Sequence, residues 1–208
     1  LLMILSGIST DPVNLKNNRK TIGGLLKFYD WTTLSRNVTT FTMFGNHGIN
    51  AADFTVDIER NKAVEGFRAN SNADVLFLPI DVSEKFPNLA ALSAFGCMIK
   101  SLIPKNFKGL TSLELLDLHR NKIGYIGTQE LRELTSLRFL DLSDNFITGL
   151  AEDSLIKLTK LEVLDLENNQ IKCIAFSIDS LIQLRTFDVS FNRIVAFPNF
   201  YFRNNRKL

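Results

Sequence analysis

Cysteine, histidine and tryptophan are scarce in this 208-residue chain: two, two and one. Cys97 and Cys173 are too few for the disulfide frameworks that hold small secreted domains together, and the chain is long enough to bury a core without them. Neither His47 nor His119 has a second histidine or a cysteine at ligand spacing, so no zinc pattern is present. No phosphate-binding loop, HExxH or GxSxG occurs, and Thr21-Ile22-Gly23-Gly24 lacks the lysine and the strand context of a phosphate loop. No apolar run approaches the roughly 20 residues that span a bilayer, so no membrane span is expected in these residues. Charge of one sign is missing too. The net charge is +2, and without Arg203, Arg206 and Lys207 in the last eight positions 21 basic residues face 22 acidic ones. A nucleic-acid binder shows a concentrated basic face; here that tail reads as a solvated segment. Nothing points to an enzyme, a metal site or a cofactor.

What the chain has is a period. LTSLELLDLHRNKI begins at Leu110, LTSLRFLDLSDNFI at Leu134, LTKLEVLDLENNQI at Leu158 and LIQLRTFDVSFNRI at Leu181, offsets of 24, 24 and 23. A weaker copy, FPNLAALSAFGCMI, starts at Phe86, again 24 earlier. VEGFRANSNADV (64–75) places Val75 24 residues ahead of Ile99. Self-similarity at this period marks a solenoid. The spacing predicts a short strand that points Leu116 and Leu118, Leu140 and Leu142, Leu164 and Leu166, and Phe187 and Val189 inward. Asn121, Asn145, Asn169 and Asn192 then turn the chain, their amides placed to satisfy backbone groups of neighbouring coils. The segments IPKNFKGL, IGTQELREL, LAEDSLIKL and IAFSIDSL return on the outer side as helical or 3₁₀ turns. A unit cannot bury its apolar side alone, so stacking supplies the stability.

The unit LxxLxLxxN/CxI resembles the leucine-rich repeat family, in its 24-residue typical form, over residues 64–208. That resemblance implies an α/β solenoid, a curved horseshoe with a parallel β-sheet on its concave face, of about six units and cut at its C-terminal end. Cys97 falls where the family accepts Asn or Cys, and reads as a buried structural thiol. Cys173 lies three units on. With strands about 4.8 Å apart, the two are too distant for a disulfide, whose Cα atoms must come within about 7 Å.

Residues 10–63 read as a β-rich N-terminal cap, with VTTFTMF (38–44) and FTVDI (54–58) as strands and NHG (46–48) as a turn, covering the first apolar layer. FYDW, GNHG and LPIDVSEKFPNL are similar to the N-terminal region of secreted insect leucine-rich-repeat proteins, although the cysteines that close those caps are absent before Cys97. Residues 1–9, LLMILSGIS, read as the remnant of a signal peptide, with an apolar strand or helix as the alternative. Asn37-Val38-Thr39 makes Asn37 a candidate glycosylation site.

Parallel stacking aligns like positions, so Asp117, Asp141, Asp165 and Asp188 should form an acidic column about 15 Å long beside an exposed apolar strip of Leu115, Phe139 and Val163. With His119, Arg120 and Glu167, these are the candidate ligand-binding residues of the concave face, fit for a basic, amphipathic partner segment. Aspartate in an LDL triplet is also common across the family, so the column is equally readable as a family default. Calcium on the column is disfavoured, because hard-cation sites draw converging oxygens from a loop. The reading is of a non-catalytic protein-recognition module with a protein ligand, secreted or a receptor ectodomain of innate-immune or adhesion type. The alternatives are a cytoplasmic scaffold or regulatory subunit, or the sensor part of a larger enzyme. Oligomeric state is not legible.

Overall fold

The structure, a computed structural model, describes residues 3–4, 38–41, 66–69 and 76–208. The readings at NHG, FTVDI and Asn37, the rest of 1–9, and the motifs FYDW and GNHG lie outside the described residues. Among the described residues there are eight short strands: Met3–Ile4 (β1), Val38–Phe41 (β2), Gly66–Ala69 (β3), Ala91–Ser93 (β4), Leu115–Asp117 (β5), Phe139–Asp141 (β6), Val163–Asp165 (β7) and Thr186–Asp188 (β8). They form one sheet in the order β1-β8-β7-β6-β5-β4-β3-β2. Every pairing is parallel. β2 falls within the VTTFTMF stretch and lies beside β3 at the end of the sheet.

From β4 to β8 the register follows the sequence period without a slip: Leu92, Leu116, Leu140, Leu164 and Phe187 stand in one row, all buried. Between β3 and β4 it is longer by one, since Phe67 pairs with Leu92, 25 positions on, where the weak copy suggested 24. Each strand from β4 to β8 is three residues long because three is what the unit provides before the chain must turn. The middle side chain enters the core and its neighbours point to the concave face.

The returning segments are tighter than helices. Bonds from residue i+3 back to residue i close them: Leu110 N–H to Phe107 O, 3.1 Å; Leu134 to Leu131, 3.1 Å; Leu158 to Leu155, 3.0 Å; Leu181 to Ile178, 2.9 Å. Among the described residues, helix is confined to one α turn at Val82–Lys85 and one 3₁₀ turn at Pro104–Asn106. About eight residues must cross the whole outer side, and an α-helix rising about 1.5 Å per residue would not carry the chain back in that number.

The core is one continuous stack of leucines and isoleucines, widening into aromatics at the β8 end. There Phe176, Phe187, Phe197, Tyr201 and Phe202 meet ring to ring, and the Tyr201 hydroxyl donates to Phe176 O at 3.0 Å. The expected solvated tail is therefore corrected in part. Tyr201, Phe202 and Leu208 pack on the core, Asn205 is buried, and Arg203 pairs with Asp179 at 3.3 Å. Their alternation with polar residues hid this in the sequence. Cys97 is buried and Cys173 exposed.

Candidate functional site

The concave face is built from three rows. Ala91, Leu115, Phe139, Val163 and Thr186 register with one another at the strand starts. The exposure expected of this strip is not found: Leu115 is 1% exposed, Phe139 8% and Val163 5%. Each side chain stands between its counterparts on the adjacent strands, one strand spacing of about 4.8 Å away. Lateral contact therefore removes it from water. The Arg138 guanidinium adds a lid over the Phe139 ring, 5.2 Å from its centroid.

Ser93, Asp117, Asp141, Asp165 and Asp188 form the row at the strand ends, in register. The aspartates do a local job, each accepting the N–H two residues on. His119 N–H reaches Asp117 at 3.3 Å, Ser143 N–H Asp141 at 3.0 Å, Glu167 N–H Asp165 at 2.9 Å and Ser190 N–H Asp188 at 2.8 Å. This is the Asx turn that bends the chain out of the strand. Ser93 and Ser143 hydroxyls donate to Asp117 and Asp141, both at 2.7 Å. Stacking acids in a half-dry row has an electrostatic consequence. Burial, and then the charge of Asp117, raises Asp141 from 3.8 to about 6. Burial, and then Asp141, likewise raises Asp165 well above the usual carboxylate range. His119 sits against this row, its Nδ1 2.5 Å from Asp117 Oδ1 and 4.0 Å from Asp141 Oδ2. Burial alone would lower its pKa, but the hydrogen bond to Asp117 and the charges of Asp117 and Asp141 raise it. Phe95 stacks flat on the His119 ring, with centroids 4.9 Å apart and planes 2° from parallel.

Three residues after the strand-end row, the rim begins. Gly96, Arg120, Asp144, Asn168 and Phe191 occupy equivalent places and share a left-handed backbone, with φ of 64°, 56°, 54°, 53° and 53°. Asp144 ties three of them together, accepting from Arg120 Nε at 3.4 Å and from Asn168 Nδ2 at 2.6 Å. Phe191 is 55% exposed. Next comes the row of turn asparagines. Asn145 donates to Leu118 O, Leu142 O and Ser143 O and accepts from Ile123 N–H, so one amide bridges two coils. Asn121, Asn169 and Asn192 repeat the pattern. Cys97 holds that place in its own coil, with Sγ 3.7 Å from Phe95 O.

A leucine-rich-repeat family model matches residues 87–147, and a second, describing two copies of the repeat, matches residues 135–181. Residues 87–181 carry leucine-rich repeats. Among solved structures it is similar to a leucine-rich-repeat protein of Leptospira interrogans, with 24% identity and a TM-score of 0.58. The match covers 78% of this chain and 45% of that one, so the chain spans less than half the length of the protein it resembles. No curated protein matches it.

The leucine-rich-repeat stack also assembles groups that spacing along the chain kept apart. Asp117, His119 and Asp141 bring ligand atoms within 4.8 Å of one another, as do Asp165, Glu167 and Asp188. The first set, with one imidazole nitrogen, suits a zinc-like ion and the second, all oxygen, a harder cation. A search for a second histidine or cysteine nearby in sequence passes over both. A third feature lies at the opposite end of the strands. Glu114, Arg138, Glu162 and Arg185 alternate in charge, with contacts of 3.4, 2.8 and 3.7 Å. Aligning the residue just before each strand reads E-R-E-R and would have revealed this ladder.

Proposed function

We propose that this leucine-rich-repeat protein is a non-catalytic recognition module that takes a protein ligand along its concave face and the adjoining rim. Leucine-rich repeats generally mediate protein–protein recognition, and this chain carries several in register. The observation that carries the reading is Phe191. A bulky side chain is held in a left-handed backbone and half in water, at the end of a row that includes Arg120, Asp144 and Asn168. A partner would meet Phe95, His119, Arg120, Asp144, Asn168 and Phe191 directly. Leu115, Phe139, Val163, Asp117, Asp141, Asp165, Glu167 and Asp188 then form the floor beneath, and their part is to fix the position and charge of what stands above them.

The test is site-specific photo-crosslinking. A photoreactive residue at Arg120 or Asn168 should capture one protein that the same residue at Lys160, on an outer turn, does not. Phe191→Ser should weaken binding of that protein by about tenfold or more with the unfolding midpoint held. Equal capture from the outer turn, together with unchanged affinity of Phe191→Ser, refutes the assignment.

The proposal extends to a secreted or receptor-ectodomain setting of innate-immune or adhesion type, supported by the acceptor Asn37-Val38-Thr39. The rival reading is a cytoplasmic scaffold, favoured by the scarcity of cysteine, two in 208 residues with none before Cys97. Expression with the native upstream sequence separates the two. Export with a glycan on Asn37 excludes the cytoplasm, and retention without one excludes secretion. Among the described residues no helix is long and apolar enough to cross a membrane.

A further inference from the structure

On the outer side, between the turns of two successive repeats, lies a hollow of about 370 Å³. Thr128, Gln129 and Arg132 line it from one turn, and Asp153, Ser154 and Lys157 from the next. Ser154 is 3% exposed, and its Oγ has no hydrogen-bond partner among the described residues. Buried polar atoms are nearly always paired, so an orphan calls for a reason.

The neighbouring repeats show that the place does not require one. Each repeat has a residue just before its buried turn residue: Asn106 before Phe107, Glu130 before Leu131, Ser154 before Leu155 and Ser177 before Ile178. Asn106 accepts from Ile103 N–H at 2.7 Å and donates to Leu78 O at 3.0 Å. Glu130 accepts from Gln129 N–H at 3.2 Å, and Ser177 from Asp179 N–H at 3.1 Å. In these three turns the polar atom serves the fold. In the fourth the hydroxyl has no such partner, and Ser154 itself lines the hollow.

The charged groups around it are similarly uncommitted. Arg132 donates to the neutral Gln129 amide oxygen at 3.1 Å, and neither Arg132, Lys157 nor Asp153 forms an ion pair among the described residues. Donors and a carboxylate acceptor therefore face one space without cancelling. A simple anion entering it would meet Asp153, and a simple cation would meet Arg132 and Lys157. A neutral molecule rich in hydroxyls meets both, because each hydroxyl donates and accepts. Ile156, half exposed on the same wall, offers an apolar patch to the C–H face of a ring. The volume lies at the lower end of the about 300–1,000 Å³ typical of small-molecule sites and equals about a dozen waters, room for one or two sugar rings.

We propose that this hollow is a saccharide subsite, separate from the concave face, in which Ser154 Oγ, Asp153, Arg132 and Lys157 bond a neutral mono- or disaccharide against Ile156. The test is amide-resolved NMR on the intact chain, titrated to millimolar levels with maltose, cellobiose, trehalose and diacetylchitobiose. Inorganic phosphate and glycine serve as anionic and zwitterionic arms. At least one sugar should move the amides of residues 128–132 and 153–157 and leave the rim at 120, 144 and 168 unmoved. Ser154→Ala should weaken that sugar by about fivefold with the unfolding midpoint held or raised, since the orphan hydroxyl is removed. Arg132→Gln, an exposed substitution, should weaken it independently. The proposal is overturned if no sugar moves those amides, if only phosphate or glycine does, or if both variants bind as the parent does.

Discussion

Asp141→Asn isolates the electrostatics of the aspartate row. The Asp141 side chain is 13% exposed and stands in register between Asp117 and Asp165. Burial first and the charge of Asp117 second raise it from 3.8 to about 6, while His119 and the Ser143 bonds act against the rise. A carboxyl that holds its proton more tightly when folded stabilises the fold fully below about 3.8, and that contribution is lost as pH climbs through about 6. Two units at about 1.4 kcal/mol each bound the effect near 3 kcal/mol, and sharing the proton with neighbouring carboxylates brings it to about 1–2 kcal/mol. His119 carries the same sign. Its raised pKa contributes stability that is present below the free-imidazole value and lost above the folded one. Groups on every adjacent strand face this point: Asp117 and His119 on one side, Asp165 on the other, with Arg120 opposing the charge of His119. The row should therefore weaken from acid toward neutral pH, against the usual trend for paired carboxylates. Asparagine keeps an oxygen for the Ser143 N–H and hydroxyl and removes one negative charge beside Asp117. Urea unfolding should show Asp141→Asn more stable than the parent by about 1–2 kcal/mol at about pH 8, and less sensitive to pH between about 5 and 8. A variant less stable than the parent at the higher pH, or with the parent's full pH slope, refutes the reasoning.

Two further substitutions separate the scaffold from the surface. Asn145→Ala strands Ile123 N–H and removes one donor from three carbonyls, all buried, so a loss of about 3–4 kcal/mol is expected in urea unfolding; Asn192→Ala, where the same four bonds are half-buried, should lose roughly half as much. Phe191→Asn relieves the left-handed strain and should raise stability by about 1 kcal/mol in the same assay while weakening partner capture, and a loss of stability would mean that the ring packs on the fold.

The scaffold was legible because its determinants are local and periodic. The row Leu92, Leu116, Leu140, Leu164, Phe187 could be drawn from spacing alone, and the structure pairs those residues as drawn. Whether a side chain on the concave face meets water was not legible. Leu115 and Phe139 point out of the core, and period 2 says only that. Their burial depends on what stands one strand away, which alternation along a single strand does not encode. The same blindness hid the Asp117–His119–Asp141 grouping and the Glu114–Arg138–Glu162 ladder, since both join residues 22 or more apart. The rim was half seen. Arg120 was singled out, but the shared left-handed backbone that unites it with Phe191 is a property of the turn and appears in no composition or spacing.

That shared backbone decides which rim residues carry information about a partner. The fold needs a residue with φ near 55° once per coil, and Gly96, Asp144 and Asn168 are the types that meet the need at least strain. Their identities are explained by the turn. Arg120 and Phe191 are not, because a long or bulky side chain in that conformation is strained by about 1–2 kcal/mol relative to glycine. Neither side chain recovers this inside the fold: Arg120 is two-thirds exposed with a 3.4 Å contact to Asp144, and the Phe191 ring is half in water. From Gly96 to Phe191 the row spans four strand spacings, about 19 Å, the length of about six residues of extended chain. A ligand that recovers the strain at both places must therefore reach along the row, with an acidic or aromatic group for Arg120 and an apolar one for Phe191. A ligand confined to the Asp117–His119 corner would leave Phe191 unexplained.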